Sequence, residues 1–142
     1  MAEGSATKTT PKIGDRMPDG TVYAGISPDT GKPMYTTPAD APLTYTFNQA
    51  KQYAETLDAR GHKDWRVPTE GELNVLWENR DKCKLKGTFN ETGLYPAGWH
   101  WSSSTDHFLW MNLLYAFCQR FSDGFQYIAA KYAEIPLRCV RG

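Results

Sequence analysis

The sequence predicts an α+β domain in which two helices pack on a twisted, mostly antiparallel sheet. The first observation is a strand that ends at Pro68 and leads directly into a helix, because proline cannot extend a strand ladder and Thr69 can cap a helix. Glu72, three residues after Thr69, completes the pattern of a capping box. The second observation is the aromatic and aliphatic segment 101–141, which turn residues interrupt at 122–124. This order of strand, helix and successive strands is typical of α+β folds.

The chain divides into a short arm and one domain. Residues 1–12 are small and polar, without a hydrophobic period, and predict an arm that is flexible or docks on a partner. Residues 13–142 predict a single domain, since a chain of this length buries about 68–70% of the surface that its unfolded form exposes.

The first predicted element is a β-hairpin near the N-terminus. Its strands are residues 21–27 and 32–37, and the sequence Pro-Asp-Thr-Gly at 28–31 forms the turn between them. Pro33 at the start of the second strand is typical of an edge strand, because it cannot donate a ladder hydrogen bond. The segment 38–42 then reads as a connector.

Two amphipathic helices are predicted next. The first spans residues 46–60, where Thr46 and Gln49 form a capping box and Gly61 supplies a stop. The second spans residues 70–81. Both helices look like supports for a sheet, because neither face carries paired ionisable groups suited to chemistry. The buried sides are predicted to hold Phe47, Ala50, Tyr53, Ala54 and Leu57 in the first helix, and Leu73, Leu76 and Trp77 in the second.

The remaining half of the chain predicts a loop followed by strands. Residues 87–98 contain scattered Gly, Asn and Pro and indicate a loop. Residues 107–120 are apolar at both parities, which predicts a strand buried on both faces or covered on one face by a partner. We therefore expect contacts with copies of the chain, or with other subunits of an assembly, through the arm and the apolar strand 108–117.

Several separated motifs, in this order, resemble the C-terminal domain family of the Legionella collagen-like adhesin. Members resemble the pattern W-R-[LV]-P-T-x-x-E-L, then W-S-S-S, a strand with Trp, F-x-x-G and a final R-C-V-R. The resemblance covers residues 43–142 and implies a C-type-lectin-like fold, found as a module in bacteria and phages. The matching positions here are 65–73, 101–104, Trp110, 121–124 and 138–141.

Composition excludes several classes of function. Sixteen basic and sixteen acidic residues leave no net charge, so the chain lacks the electrostatic signature of a nucleic-acid or anionic-membrane binder. No apolar stretch is long enough to insert in a membrane, and the first residues lack the basic and hydrophobic regions of a signal peptide. We expect synthesis in the cytoplasm and a place in a virion, or at the cell surface if a signal peptide was removed.

Cysteine and histidine spacing predicts no metal and no other cofactor. The three cysteines lack C-x-x-C spacing, and Cys118 and Cys139 are interpreted as small buried hydrophobes, with a disulfide as the alternative and Cys83 unassigned. His62, His100 and His107 lack a spacing that would bring two imidazoles to one metal. Calcium-dependent sugar binding is disfavoured, because Trp110-Met111-Asn112 is not followed by Asp and no Glu-Pro-Asn or Gln-Pro-Asp precedes it.

Aromatic residues near the predicted loop are the candidate binding site. Tryptophan offers a large rigid surface and one donor, which is why it is frequent in binding surfaces. The candidate binding residues are Trp99, His100, Asp106, His107, Phe108 and Trp110.

These features predict a non-catalytic binding or structural module displayed on a larger assembly. A phage decoration, fibre or attachment protein is the favoured carrier, and the alternative is a metal-independent glycan- or protein-binding adhesin domain of a bacterial surface protein. No enzyme is predicted, because the serines at 102–104 lie in a strand without a strained elbow or an oxyanion hole.

Overall fold

The computed structural model describes residues 10–105 and 113–142. Most of the predicted arm and the candidate binding residues from Asp106 to Trp110 lie outside the described residues. In the described part, no helix has the length and apolar character to cross a membrane.

The described residues contain two α-helices of nine or ten residues, and both begin at the predicted capping boxes. Helix α1 spans Phe47–Thr56 and helix α2 spans Glu70–Glu78. In α1, the Thr46 hydroxyl accepts from the Gln49 N–H at 3.3 Å, and the Gln49 side chain accepts from the Thr46 N–H at 3.1 Å. These caps form because each pair is three residues apart and needs no distant partner.

Helix α1 ends earlier than predicted. Leu57 has an extended backbone, so the prediction that the helix continues to residue 60 and stops at Gly61 is wrong. Ala59 and His62 instead exchange backbone hydrogen bonds, both of 3.0 Å, around a tight turn. Arg60 and Gly61 form this turn with positive φ angles of 56° and 78°, which a helix does not accommodate.

The strands of residues 10–105 and 113–142 form two three-stranded antiparallel sheets, and the first joins the N-terminal hairpin to the C-terminus. Strands β1 (Val22–Ile26) and β2 (Pro33–Thr36) form the hairpin, and the last strand of the chain, β6 (Val140–Arg141), pairs with β2. Strand β2 is therefore central, and the prediction of an edge strand from Pro33 is wrong. Proline is tolerated because β6 pairs only with Tyr35 and Thr36, beyond the reach of Pro33.

The second sheet has the order β3, β4, β5. Its strands are β3 (Trp99–Thr105), β4 (Tyr115–Arg120) and β5 (Gln126–Ala130). The α+β class with two helices is thus confirmed, and the strands divide between two sheets.

Only the last three residues of the apolar segment 108–117, from Tyr115 onward, belong to a strand in the part of the chain that the structure describes. Residues 108–112 lie outside the described part, and Leu113 and Leu114 are exposed just before β4. Within β4, Ala116 is buried whereas Tyr115 and Phe117 are only half-buried. The prediction of a strand buried on both faces within the domain is wrong for Tyr115 and Phe117, because alternation directs one parity outward. The alternative, in which a partner covers that face, stays a prediction.

The helices cover opposite faces of the second sheet. Phe47 of α1 packs edge-to-face on the buried Trp101 ring, with centroids 5.6 Å apart, in a core that also contains Cys118. On the opposite face, the amide of Gln119 donates to the side chain of Asn74 in α2 at 2.8 Å. Leu73 and Leu76 of α2 lie in a second core, which extends to the first sheet through Val22, Met34 and Val140.

A buried carboxylate anchors the start of α2 to both ends of the domain. Glu72 is fully buried, and its two oxygens accept from the Arg66 guanidinium at 2.5 and 2.7 Å. It also accepts from the Ser27 hydroxyl at 2.5 Å and from the Thr69 N–H at 3.0 Å. The backbone of Arg66 pairs in turn with Val140 of β6. Burial alone would raise the Glu72 pKa, but hydrogen bonds from Arg66 and Ser27 outweigh burial and lower it.

We expect Glu72→Gln to lower the free energy of unfolding by about 3 kcal/mol, because the fully buried carboxylate loses its charge-assisted hydrogen bonds from Arg66 and Ser27. Urea denaturation followed by circular dichroism measures this change. The matched control is Glu78→Ala on the exposed end of the same helix, which should stay within about 0.5 kcal/mol of the wild type. Equal losses in the two variants would contradict the structural role of the buried pair.

Candidate functional site

An exposed group of aromatic side chains lies across one end of the second sheet, and we call Tyr95, Trp99, Phe125 and Tyr127 the aromatic platform. Tyr95, Phe125 and Tyr127 are 64%, 50% and 59% exposed, and Trp99 is half-buried. The ring centroids of Phe125 and Tyr127 are 5.7 Å apart with planes tilted by 32°. Trp99 packs edge-to-face on Phe125, with ring centroids 6.3 Å apart. Aromatic rings this exposed are unusual for a purely structural surface.

Strand pairing brings the platform together. Trp99 in β3 is the register partner of Arg120 in β4, and β4 and β5 form a hairpin that places Tyr127 opposite Cys118 on the same face. The guanidinium of Arg120 lies 5.3 Å from the Trp99 ring and 5.4 Å from the Phe125 ring. Arg120 thus joins the two rings by cation–π contacts.

The hairpin turn fixes Arg120 in this position. Asp123 accepts from Arg120 Nε at 2.9 Å and Nη2 at 2.6 Å, and it also accepts from the Phe125 N–H at 3.1 Å. The hydrogen bonds from Arg120 and Phe125 lower the pKa of Asp123 to about 2. Gly124 completes the turn with φ 83°, and a Cβ there would meet the Trp77 ring at 2.6 Å, so only glycine fits.

A shallow cleft of about 360 Å³ opens beside the platform. This volume is within the range of small-ligand sites. Strand β5 supplies four of the lining residues, and the others come from β3, β4 and the loop that precedes β3. The lining residues are all uncharged: Tyr95, Trp99, Cys118, Tyr127, Ile128, Ala129 and Ala130.

Of the predicted binding residues, the structure describes Trp99 and His100, and it places their side chains on opposite faces of the second sheet. Trp99 and His100 are neighbours in β3 and therefore project to opposite faces of the sheet. Trp99 belongs to the platform, whereas His100 is fully buried between Phe89 and Phe121. This location favours a structural role for His100 over direct contact with a ligand. The other candidates, Asp106, His107, Phe108 and Trp110, lie outside the described residues.

His100 belongs to a buried ionic cluster centred on Asp40. The Asp40 carboxylate lies 2.8 Å from His100 Nε2, and it accepts from Arg138 Nε at 2.9 Å and from the Asn90 N–H at 2.8 Å. Arg138 is fully buried, stacks 3.8 Å from the Phe89 ring centroid and donates to the carbonyl of Thr37 at 3.1 Å. Burial alone would raise the pKa of Asp40, but electrostatic and hydrogen-bond interactions with His100 and Arg138 outweigh burial and lower it.

The cysteines are free thiols in this structure. Cys118 and Cys139 are buried, and burial raises the pKa of each thiol to about 12, as expected for small core residues. Cys83 is exposed. Within residues 10–105 and 113–142, no cluster of three or more His, Cys, Asp or Glu could hold a metal ion.

Sequence reasoning found only Trp99 among the platform residues. Phe125 and Tyr127 alternate in β5 directly after the turn at 122–124, and this period of two could have indicated a shared face. Arg120 and Asp123 are three residues apart, and this spacing is weaker evidence that the two side chains contact each other. Tyr95 lies in a loop, where no periodic pattern marks it.

The fold and the platform define a small α+β domain with an aromatic surface suited to binding. The chain matches the family described as Lcl C-terminal domain over residues 27–141, and it belongs to this family. This match confirms the resemblance drawn from the sequence motifs and makes the chain an adhesin-family domain. A comparison with curated protein sequences finds no match.

We expect Asp40→Asn to lower the free energy of unfolding by about 3–5 kcal/mol, because Arg138 would keep its charge in the core without a counter-ion. The Asp40 pKa is lowered in the folded state, so its contribution is complete above the ordinary value of 3.8 and is lost as pH falls through the folded pKa. The variant should therefore lose less stability on acidification than the wild type.

Denaturation at several pH values measures this difference, with Asp58→Asn as the control. Asp58 lies 3.9 Å from Lys63 Nζ at an exposed site, where an ion pair contributes little. Parallel acid unfolding curves for wild type and Asp40→Asn would show that the Asp40 charge is not the relevant group.

Proposed function

We propose that the chain is a non-catalytic binding module, carried by a larger assembly, and that the aromatic platform is its ligand-binding surface. The observation that carries the proposal is the exposure of the Tyr95 and Tyr127 rings, which line the cleft together with Trp99, and of the Phe125 ring beside them. Exposed aromatic clusters in soluble domains are typical of interaction sites. Membership in the Lcl C-terminal domain family supports adhesion rather than chemistry.

The described ionisable clusters support a non-catalytic role. Asp40 and Glu72 are held by arginines in buried networks, and both carboxyl pKa values are lowered rather than raised toward neutrality. A general acid or base needs a pKa near the working pH and access to substrate. These carboxylates are therefore better suited to stabilising the fold than to proton transfer.

Two carriers are compatible with such a module. A phage virion would present it as a decoration, fibre or attachment protein, and a bacterial surface protein would present it as an adhesin domain. The family match favours the adhesin domain, whereas exposed apolar side chains away from the platform favour packing within an assembly.

We expect Phe125→Ala and Tyr127→Ala to abolish most binding to an array of glycans and surface proteins, since loss of a central interface aromatic costs more than about 1 kcal/mol. The readout is retention of the fluorescently labelled chain on each array spot. Leu43→Ala is the control, because Leu43 is 69% exposed but does not line the platform cleft. Binding that survives both aromatic substitutions would contradict the proposed surface, and substrate turnover in a hydrolase screen would contradict the non-catalytic role.

We also propose that copies of the chain associate, or pack on other subunits, through the arm and the segment 108–117. Leu113 and Leu114 belong to this segment and lie within the described residues, where they are 74% and 56% exposed. Size-exclusion chromatography with light scattering should give a multiple of 16.1 kDa for the chain. Leu113→Asp with Leu114→Asp should reduce this mass, because each change places a charge in an apolar contact. A wild-type monomer at every concentration tested would contradict association.

A further inference from the structure

We propose that the outer edge of β5 is an interaction surface, on which β5 of a second copy pairs antiparallel and joins the two second sheets into one. This interface is distinct from association through the arm and the segment 108–117. It also does not depend on which ligand the aromatic platform binds.

Strand β5 presents an unpaired backbone edge. At its start, the Arg120 N–H donates to the Phe125 carbonyl at 2.8 Å. Just past its end, the Lys131 N–H donates to the Leu114 carbonyl at 2.8 Å. These bonds fix the ladder, so odd-numbered residues of β5 bond to β4 and even-numbered residues direct their backbone groups away from it. The N–H groups that have no acceptor within residues 10–105 and 113–142 are those of Gln126, Ile128 and Ala130.

The other three outer edges of the two sheets are covered by backbone of the same chain. Strand β1 exchanges hydrogen bonds with residues 14 and 15, and β6 exchanges two with Arg66. Strand β3 donates to the carbonyls of Pro68 and Pro136 at 2.8 and 3.2 Å. Among the strands that the structure describes, β5 is thus the edge that still has backbone donors to share.

The sequence of β5 also lacks the features that normally keep edge strands apart. Charged side chains, proline and bulges are the usual protection of an exposed edge. The strand reads Gln-Tyr-Ile-Ala-Ala, and its pairing with β4 contains no register shift. Helix α1 packs on β3, and α2 packs on β3 and β4, whereas the outer edge of β5 points away from these strands. A flat, uncharged and unprotected edge is a template for another strand.

A second copy of β5 is a complementary occupant for this edge. An antiparallel pairing centred on Ile128 places Gln126 opposite the partner's Ala130, and each outward N–H then meets a carbonyl of the other strand. No like charges oppose each other within the pairing, because β5 is uncharged. Each end of the strand is followed by one basic and one acidic residue, so the two ends that meet are balanced in charge. These flanking residues are Arg120 and Asp123 at the start, and Lys131 and Glu134 at the end.

The same pairing would add a side chain of the partner to each platform cleft. Tyr127 and Ala129 both line the cleft, so they project from the same face of β5. In the pairing centred on Ile128, Tyr127 lies opposite the partner's Ala129, whose small side chain leaves room for the ring. The twofold axis is perpendicular to the sheet, so both clefts open on the same face. The two platforms would therefore form one continuous surface.

A pair of charge-swapped chains tests the pairing and its register. Gln126→Glu with Ala130→Glu places like charges opposite each other on both sides of the axis, and Gln126→Lys with Ala130→Lys does the same with the opposite sign. We expect each variant alone to dissociate about tenfold more readily than the wild type, and an equimolar mixture to dimerise again. Sedimentation equilibrium of the full chain measures these masses against the 16.1 kDa of one copy.

A second variant removes the backbone donor and leaves the side chains at 126 and 130 unchanged. Ile128→Pro deletes an N–H that β4 does not use, so the fold should persist while pairing weakens. Ile128→Val keeps the N–H and is the matched control, which should dimerise like the wild type. Circular dichroism verifies that each variant is folded.

Several outcomes would overturn the inference. A wild type that stays monomeric at every concentration would do so, and so would charge-swapped chains whose mixture fails to dimerise. A mass that falls in Leu113→Asp with Leu114→Asp but not in Ile128→Pro would assign association to the segment 108–117 alone. A synthetic peptide of residues 1–12 that binds the wild type but not Ile128→Pro would make the arm the occupant of the edge. The array experiment judges ligand binding separately, so none of these results decides the function of the platform.

Discussion

The Asp40 carboxylate is the contact on which the other parts of the domain depend. It compensates the fully buried Arg138, holds His100 and accepts from the Asn90 N–H, so it joins the connector, the C-terminal segment, β3 and the loop before β3. A buried arginine without a counter-ion would be strongly destabilising. The side chain of Asn90 in turn accepts from the Gly98 N–H at 2.7 Å, one residue before the platform tryptophan. The scaffold thus extends from a buried charge to the edge of the candidate binding surface.

The family motifs belong mainly to this scaffold. Arg66 compensates Glu72, Arg138 compensates Asp40, and both arginines come from the motifs by which the resemblance was found. Trp65 and Trp101 are 3% and 0% exposed, consistent with core positions. Motifs of this kind identify the family well because burying a charge or a large ring constrains residue type strictly. They identify a ligand poorly, because Trp65, Trp101 and Arg138 are buried and cannot contact one.

The sequence predicts the helix starts and the class of fold because these depend on neighbours within a few residues. Both capping boxes, the N-terminal hairpin and the turn at 122–124 are local in this sense. Asp40 gave no such signal, since its partners His100 and Arg138 are 60 and 98 residues away along the chain. The central position of β2 likewise depends on a strand at the opposite end of the chain. Of the platform residues, only Trp99 was predicted as a binding residue. Phe125 and Tyr127 come close to Trp99 only when β3, β4 and β5 pair in their observed register.

Strand geometry lets one segment serve both the scaffold and the surface. Successive residues of β3 project to opposite faces, so Trp99 reaches the platform while His100 is bound to Asp40 in the core. Phe125 and Tyr127 are at least half exposed, and changing them removes little buried area. The platform residues Phe125 and Tyr127 can therefore vary with small effects on folding, whereas the residues of the ion pairs around Asp40 and Glu72 cannot. A domain built in this way can keep its fold while the ligand that it recognises changes.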